Sequence, residues 1–420
     1  MPGSTLPPMK FFFLLRRVPF VVFSTLVFLS IVMLPGCNTR QTRAIVEEAL
    51  FTLKLGVQES NINFFSFSNV STENHPSIIM RNGIFAISDP ANSKIMEFTS
   101  YGDLLNLYYN TQKNPPPLTL RIQSPGSNST TLVNKLAFPY PFEYVGHIAY
   151  TRTNMLLVQD QVPASRVIYD DQRGVFLNQV ILRFNSRGEY QDYIGQEGIG
   201  GTAFPAIQSI QVTRNNHIVV NTQVPSGNMI FWYNELGDLL YSVEIEPQHL
   251  PAFDQPGYYP VLDSIVAHPS RAYLLLKMDY HPQNQFGGID SQRRIQSRVF
   301  QFDLEQAVYT NSFELPANTQ PRHILSQAEA PETQYLYQLL GVDDRGTLFF
   351  LSRLTDIQHQ LLLTDETGRV LQRIVIQLND AELMFRELWV NEQGILVGLL
   401  IYPDHGKVVW WRTDRLLYNS

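Results

Sequence analysis

Short apolar runs separated by turn residues recur along nearly the whole chain, and no long segment carries the 3.6-residue period of an amphipathic helix. The clearest unit is Gly83-Ile84-Phe85-Ala86-Ile87-Ser88-Asp89, then Asn92-Ser93-Lys94-Ile95-Met96-Glu97-Phe98, then Tyr101-Gly102-Asp103-Leu104-Leu105. This pattern predicts strand, turn, strand, turn, strand. Asp89-Pro90 and Asn92-Ser93 supply the first reversal, and Tyr101-Gly102-Asp103 places a residue tolerant of positive φ in the second.

Similar units follow at variable spacing. Ile218-Val219-Val220-Asn221 leads through Ser226-Gly227 to Ile230-Phe231-Trp232-Tyr233 and Leu236-Gly237-Asp238-Leu239-Leu240. Leu348-Phe349-Phe350-Leu351 leads to Leu361-Leu362-Leu363-Thr364 and Glu366-Thr367-Gly368-Arg369-Val370-Leu371. Weaker copies run from Leu156-Leu157-Val158 to Ile181-Leu182-Arg183-Phe184, and from Tyr273-Leu274-Leu275-Leu276 to Val299-Phe300-Gln301-Phe302. A last copy pairs Ile395-Leu396-Val397 with Val408-Val409-Trp410-Trp411 and ends before an outer strand. About six such units make an array of four-stranded propeller blades. Phe51-Thr52-Leu53-Lys54-Leu55 has the alternation of the outer strands near 241–245 and 373–376, so the expectation is an all-β, six-bladed β-propeller whose ring is closed by this N-terminal strand. A helix over 42–56 is the competing reading of that segment.

The unit over 83–105 resembles an NHL-type propeller repeat. Ile194-Gly195-Gln196-Glu197-Gly198-Ile199-Gly200-Gly201, followed by Phe204-Pro205, resembles the glycine-rich linker between such repeats. The resemblance implies an NHL- or TolB-like ring.

Composition agrees with an all-β class: aromatic residues make up 12% of the chain and charged residues only 16%. With 31 Lys and Arg against 38 Asp and Glu, the net charge is −7, and no basic block follows the first residues, which argues against a nucleic-acid partner. The single cysteine, Cys37, excludes a disulfide framework.

That cysteine closes a leader. Lys10, Arg16 and Arg17 precede an apolar run over 18–33, then Leu34-Pro35-Gly36-Cys37. The layout resembles bacterial lipoprotein signal peptides, with Leu34 and Gly36 as lipobox positions and Cys37 as the acylated residue. The alternative is an uncleaved membrane anchor. The expected organisation is therefore a signal peptide at 1–36, a lipid anchor and short tether at 37–48, and a propeller at 49–420. Leader and repeats together resemble the uncharacterised propeller lipoproteins of spirochaetes. The resemblance implies an address on the cell membrane or outer membrane, facing the periplasm or cell surface.

Motifs for chemistry are sparse. The sequence has no His-Glu-x-x-His pair, no Gly-x-Ser-x-Gly elbow and no phosphate loop ending in Gly-Lys-Ser/Thr; residues 195–201 lack the lysine. Matching Val212, Ala267, Val342 and Val390 on the first strands of the blades puts polar Gln208, Asp263, Gln338 and Arg386 four places earlier, with Glu143 and His147 in the corresponding part of the second blade. Polar groups around one channel mouth suit a small polar ligand or a divalent cation, as in the lactonase-like six-bladed propellers. Channel water, or an Arg386 to Asp263 pair, is the structural alternative. Three long insertions, over 111–131, 247–260 and 280–297, offer contact surface, with Phe253, Tyr258 and Tyr259 as partner anchors or as cover for the propeller's own face. The expected function is a non-catalytic envelope scaffold binding another envelope protein, with no cofactor required. A metal-dependent hydrolase with an axial site and a cell-wall carbohydrate-binding module are the rival classes.

Overall fold

The structure is a computed structural model that describes residues 43–64, 75–123, 135–284, 288, 290, 293–320 and 333–418. Leu34, Gly36, Cys37 and the whole leader lie outside the described residues, as does part of the 111–131 insertion. No helix among the described residues is long and apolar enough to cross a membrane.

Five blades are each built from consecutive strands paired as an antiparallel meander. The first runs Ile78–Arg81, Ile84–Asp89, Lys94–Thr99 and Leu104–Tyr109, and the second Ile148–Tyr150, Leu156–Gln161, Gln179–Phe184 and Tyr190–Gly195. The third runs Ala206–Val212, Ile218–Val224, Gly227–Tyr233 and Leu239–Ile245, and the fourth Tyr258–Ala267, Tyr273–Pro282, Gln296–Asp303 and Val308–Glu314. The fifth runs Gln338–Val342, Leu348–Arg353, Gln358–Thr364 and Val370–Gln377. A further sheet is composite: Phe385–Val390, Leu396–Ile401 and His405–Trp411 are joined by Glu48–Lys54, which pairs antiparallel with His405–Trp411 from Glu48 opposite Trp410 to Lys54 opposite His405. Just before it, Arg43–Ile45 lies parallel to Val370–Gln377 on the fifth blade, so residues 43–45 of the expected tether are strand.

The apolar runs are continuous because each middle strand is buried on both faces. Ile218 and Val220 pack towards Leu157 and Ile181 of the second blade, while the intervening Val219 packs towards Leu274 and Leu276 of the fourth. Such seams join each sheet to the next, and Val397, Leu399 and Val408 of the composite sheet pack against Phe85, Met96 and Phe98 of the first blade. Each fully buried Leu or Phe in a seam contributes about 1.5–3 kcal/mol. The assembly is an all-β β-propeller.

Meander topology sorts the connections onto two faces. Links from first to second and third to fourth strands form one face and are tight. Asn185 Oδ1 accepts from the N–H groups of Arg187 at 2.9 Å and Glu189 at 3.0 Å, with Gly188 at φ 78°. Asp365 repeats this with Thr367 and Arg369, both at 3.0 Å. Links from second to third strands and between blades form the opposite face and carry the insertions, among them 162–178 and 246–257.

Candidate functional site: the central channel

The first strands of the blades surround the channel and touch one another around the ring. Between the third and fourth blades the contact is a hydrogen-bond clamp, with Gln211 Nε2 donating to Ile265 O at 3.1 Å and Ala267 N donating to Gln211 Oε1 at 2.7 Å. A cavity of about 300 Å³ lies between these strands, and residues from every innermost strand line it.

Of the four aligned positions, the structure places one on the cavity wall. Gln208 is an exposed residue at the β-bulge between Ile207 and Ser209 and lines the cavity. Asp263 occupies the equivalent bulge of the fourth blade, where its carboxylate lies 3.2 Å from Lys277 Nζ. That ammonium is fully buried and also lies 2.7 Å from Asp279, whose carboxylate accepts from Ser297 Oγ at 2.5 Å. Gln338 opens the first strand of the fifth blade, exposed and away from the cavity lining. Arg386 Nη1 is 2.7 Å from Asp380 Oδ1 and 3.2 Å from His359 Nε2. Asp263 and Arg386 therefore sit in separate ion pairs, and the alternative of a pair between them is not formed. Among the described residues no group of three or more His, Cys, Asp or Glu side chains is placed to hold a metal ion.

His147 lines the cavity. Burial pushes its imidazole down to about 4, so it is neutral near pH 7. Glu143 lies off the wall, where its carbonyl accepts from Lys113 Nζ at 2.6 Å. The wall also holds Glu387, which the alignment passes over. Burial pushes this carboxyl up to about 7, with no opposing charge beside it among the described residues. Tyr150, on the same wall, donates to the buried carboxylate of Glu97, which also accepts from Asn106 Nδ2 at 2.6 Å.

The mouth on the tight-turn face is bridged. Arg152, in the first turn of the second blade, donates to Asp344, in the corresponding turn of the fifth blade. Arg81 supports the bridge, donating from Nη2 to Arg152 O at 2.7 Å and from Nε to Asn154 Oδ1 at 3.0 Å. Asp344 N donates to Glu392 O at 3.1 Å, and Arg152 N to Asn216 Oδ1 at 2.7 Å, so turns of several blades are tied together. These residues share a sequence signal: a charged residue in second place of Thr151-Arg152-Thr153-Asn154, Asp343-Asp344-Arg345-Gly346 and Asn391-Glu392-Gln393-Gly394.

The aromatic residues of the 247–260 insertion fold onto the fourth blade. Phe253 packs against Tyr258 and Tyr280, with ring centroids 4.8 and 4.9 Å away, and Arg298 stands over its ring at 4.6 Å. Tyr259 stacks on His281 at 5.3 Å. The prominent exposed apolar feature is elsewhere, in a hairpin of Ile168–Asp170 and Val175–Leu177 inserted into the second blade. Tyr169 and Phe176 are 50% and 62% exposed, with their rings 5.0 Å apart. No sequence reading singled out this hairpin, although Val167-Ile168-Tyr169 and Val175-Phe176-Leu177 flank a Gln172-Arg173-Gly174 turn.

Fold and channel define the class of this protein, a β-propeller. No protein-family model matches the sequence, and no curated protein matches it. Among solved structures it is similar to a protein of unknown function from Dyadobacter fermentans, at 11% identity and a TM-score of 0.39, covering 87% of this chain and 99% of that one. It is also similar to the β-propeller domain of Nup133 from Vanderwaltozyma polyspora, at 8% identity and a TM-score of 0.37, covering 86% and 97%. A streptogramin B lyase is similar at 10% identity and a TM-score of 0.35, covering 82% and 96%.

Proposed function

We propose that the chain is a lipid-anchored, extracytoplasmic six-bladed β-propeller, closed by its N-terminal strand, that serves as a non-catalytic binding scaffold in the cell envelope. The antiparallel pairing of Glu48–Lys54 with His405–Trp411 supports the sixth blade and its closure. The leader ending at Cys37 supports the anchor and the extracytoplasmic address. The observation that carries the binding role is the Tyr169 and Phe176 hairpin. It stands on the face with the insertions, and exposed large aromatics on a rigid support are the side chains that dominate interface energetics. The partner is an envelope protein with an apolar patch that takes the two rings, Arg173 of the hairpin being held by Asp170 at 3.0 Å.

The test is crosslinking in intact cells with a C-terminal tag, comparing the wild type with Tyr169→Ser/Phe176→Ser. A reproducible envelope-protein partner lost in the double variant is the expected result, and a Cys37→Ala arm separates loss of anchoring from loss of docking. Recovery of the protein alone, or a partner captured equally by the double variant, overturns the reading.

A further inference from the structure

The channel wall carries an unused recognition set. Glu387 and Trp389 are alternate residues of the Phe385–Val390 strand and so project to the same side, and both line the cavity. His147 reaches the cavity from the second blade and Gln208 from the third. The other charges around the channel satisfy one another, because Arg152 is paired with Asp344, and Arg81 is attracted by Glu392 and Asp344. Glu387 is left as a wall carboxyl with no cation beside it and no hydrogen-bond donor among the described residues.

We infer that this cavity binds a small organic ammonium ion, with the carboxylate of Glu387 as its counter-ion and Gln208 and His147 as further acceptors. An ammonium group presents N–H donors in several directions, and the wall offers a carboxylate, an amide oxygen and a neutral imidazole nitrogen. The carbon skeleton of such a ligand has a matching surface in Val266, Leu340 and Trp389, and an aromatic face near a cation adds to the attraction. A bare metal ion leaves that apolar wall unfilled. A volume of about 300 Å³ is at the lower end of small-molecule sites.

The test measures melting of the purified full chain with n-butylammonium chloride. The neutral isostere 1-butanol and calcium or magnesium chloride at matched ionic strength are compared beside it. The expected result is a melting temperature raised by butylammonium and unmoved by 1-butanol. Affinity should fall at least tenfold in Glu387→Gln and severalfold in Gln208→Ala, a second variant that leaves the carboxyl in place. Equal stabilisation of Glu387→Gln, equal stabilisation by 1-butanol, an unchanged affinity in Gln208→Ala, or stabilisation by divalent cations alone overturns the inference.

Discussion

Glu387→Gln also isolates the contribution of a single wall carboxyl to stability. In the folded protein burial raises this group from its ordinary 4.5 to about 7. The folded state therefore holds the proton more tightly than the unfolded chain. Its contribution is complete below about pH 4.5 and is lost as pH rises through about 7. At about 1.4 kcal/mol per pH unit, the difference amounts to about 3 kcal/mol, reduced to about 2 kcal/mol by the water that reaches the cavity. Asp160 titrates in the same sense, because burial raises it from 3.8 to about 7 against the N–H donors of Tyr144, Gln161 and Glu143. Glu387 and Asp160, with Asp89 raised to about 6 by burial, thus withdraw stability between pH 5 and pH 8, while His147, lowered to about 4, acts in the opposite sense, so Glu387 is read from the difference between variant and wild type. Glu387→Gln cannot titrate, so relative to the wild type it should gain about 2 kcal/mol between pH 5 and pH 8, becoming the more stable protein at pH 8. The assay is urea denaturation at pH 5, 6, 7 and 8 followed by tryptophan fluorescence, in the absence of amines. Midpoints for Glu387→Gln that parallel the wild type across this range would refute the assignment of a desolvated, unpaired carboxyl.

Two further substitutions probe the frame around the channel. Arg152→Ala strands Asp344 at the bridged mouth, and because both side chains keep about a quarter of their surface exposed, the expected cost is about 1–2 kcal/mol. A double-mutant cycle with Asp344→Ala should return a coupling near 1 kcal/mol in chemical denaturation, and a coupling near zero would mean that the bridge does not form. Gly188→Ala places a methyl group against the ring of buried Phe138 at a backbone φ of 78°, and should lower stability by about 2–3 kcal/mol, read as a fall in melting temperature; an unchanged melting temperature would contradict that packing.

The repeating meander was legible because every blade writes the same local grammar. Residues 218–240 and 348–371 each show apolar runs broken by turns with Asn, Asp or Gly in set places, and the structure forms strands and reversals there. The channel was poorly legible because alignment by residue count assumes unbroken pleating. In the third and fourth blades Gln208 and Asp263 are themselves the extra residues of bulges, whereas in the fifth blade the irregularity falls at Leu340. Gln338 therefore lies opposite Leu351, while Arg386, in a strand without a bulge, lies opposite Leu400. Four places before the matched apolar residue is thus a different point in space from blade to blade, because one inserted residue turns every following side chain to the other face. His147, named from the same comparison, reaches the wall, while Glu387, three places before Val390, was passed over. The Arg152 and Asp344 bridge is beyond any local reading. The two turns are 192 residues apart in sequence and meet only in the folded propeller.

The sheet that unites residues 48–54 with residues 405–411 also sets an order of events during synthesis. Glu48–Lys54 is made long before His405–Trp411 exists, so its apolar residues, Leu53 among them, have no place in a finished sheet until almost the entire chain has been translated. Closing so long a loop adds only logarithmically to the entropic cost, but non-local pairing of this kind slows folding.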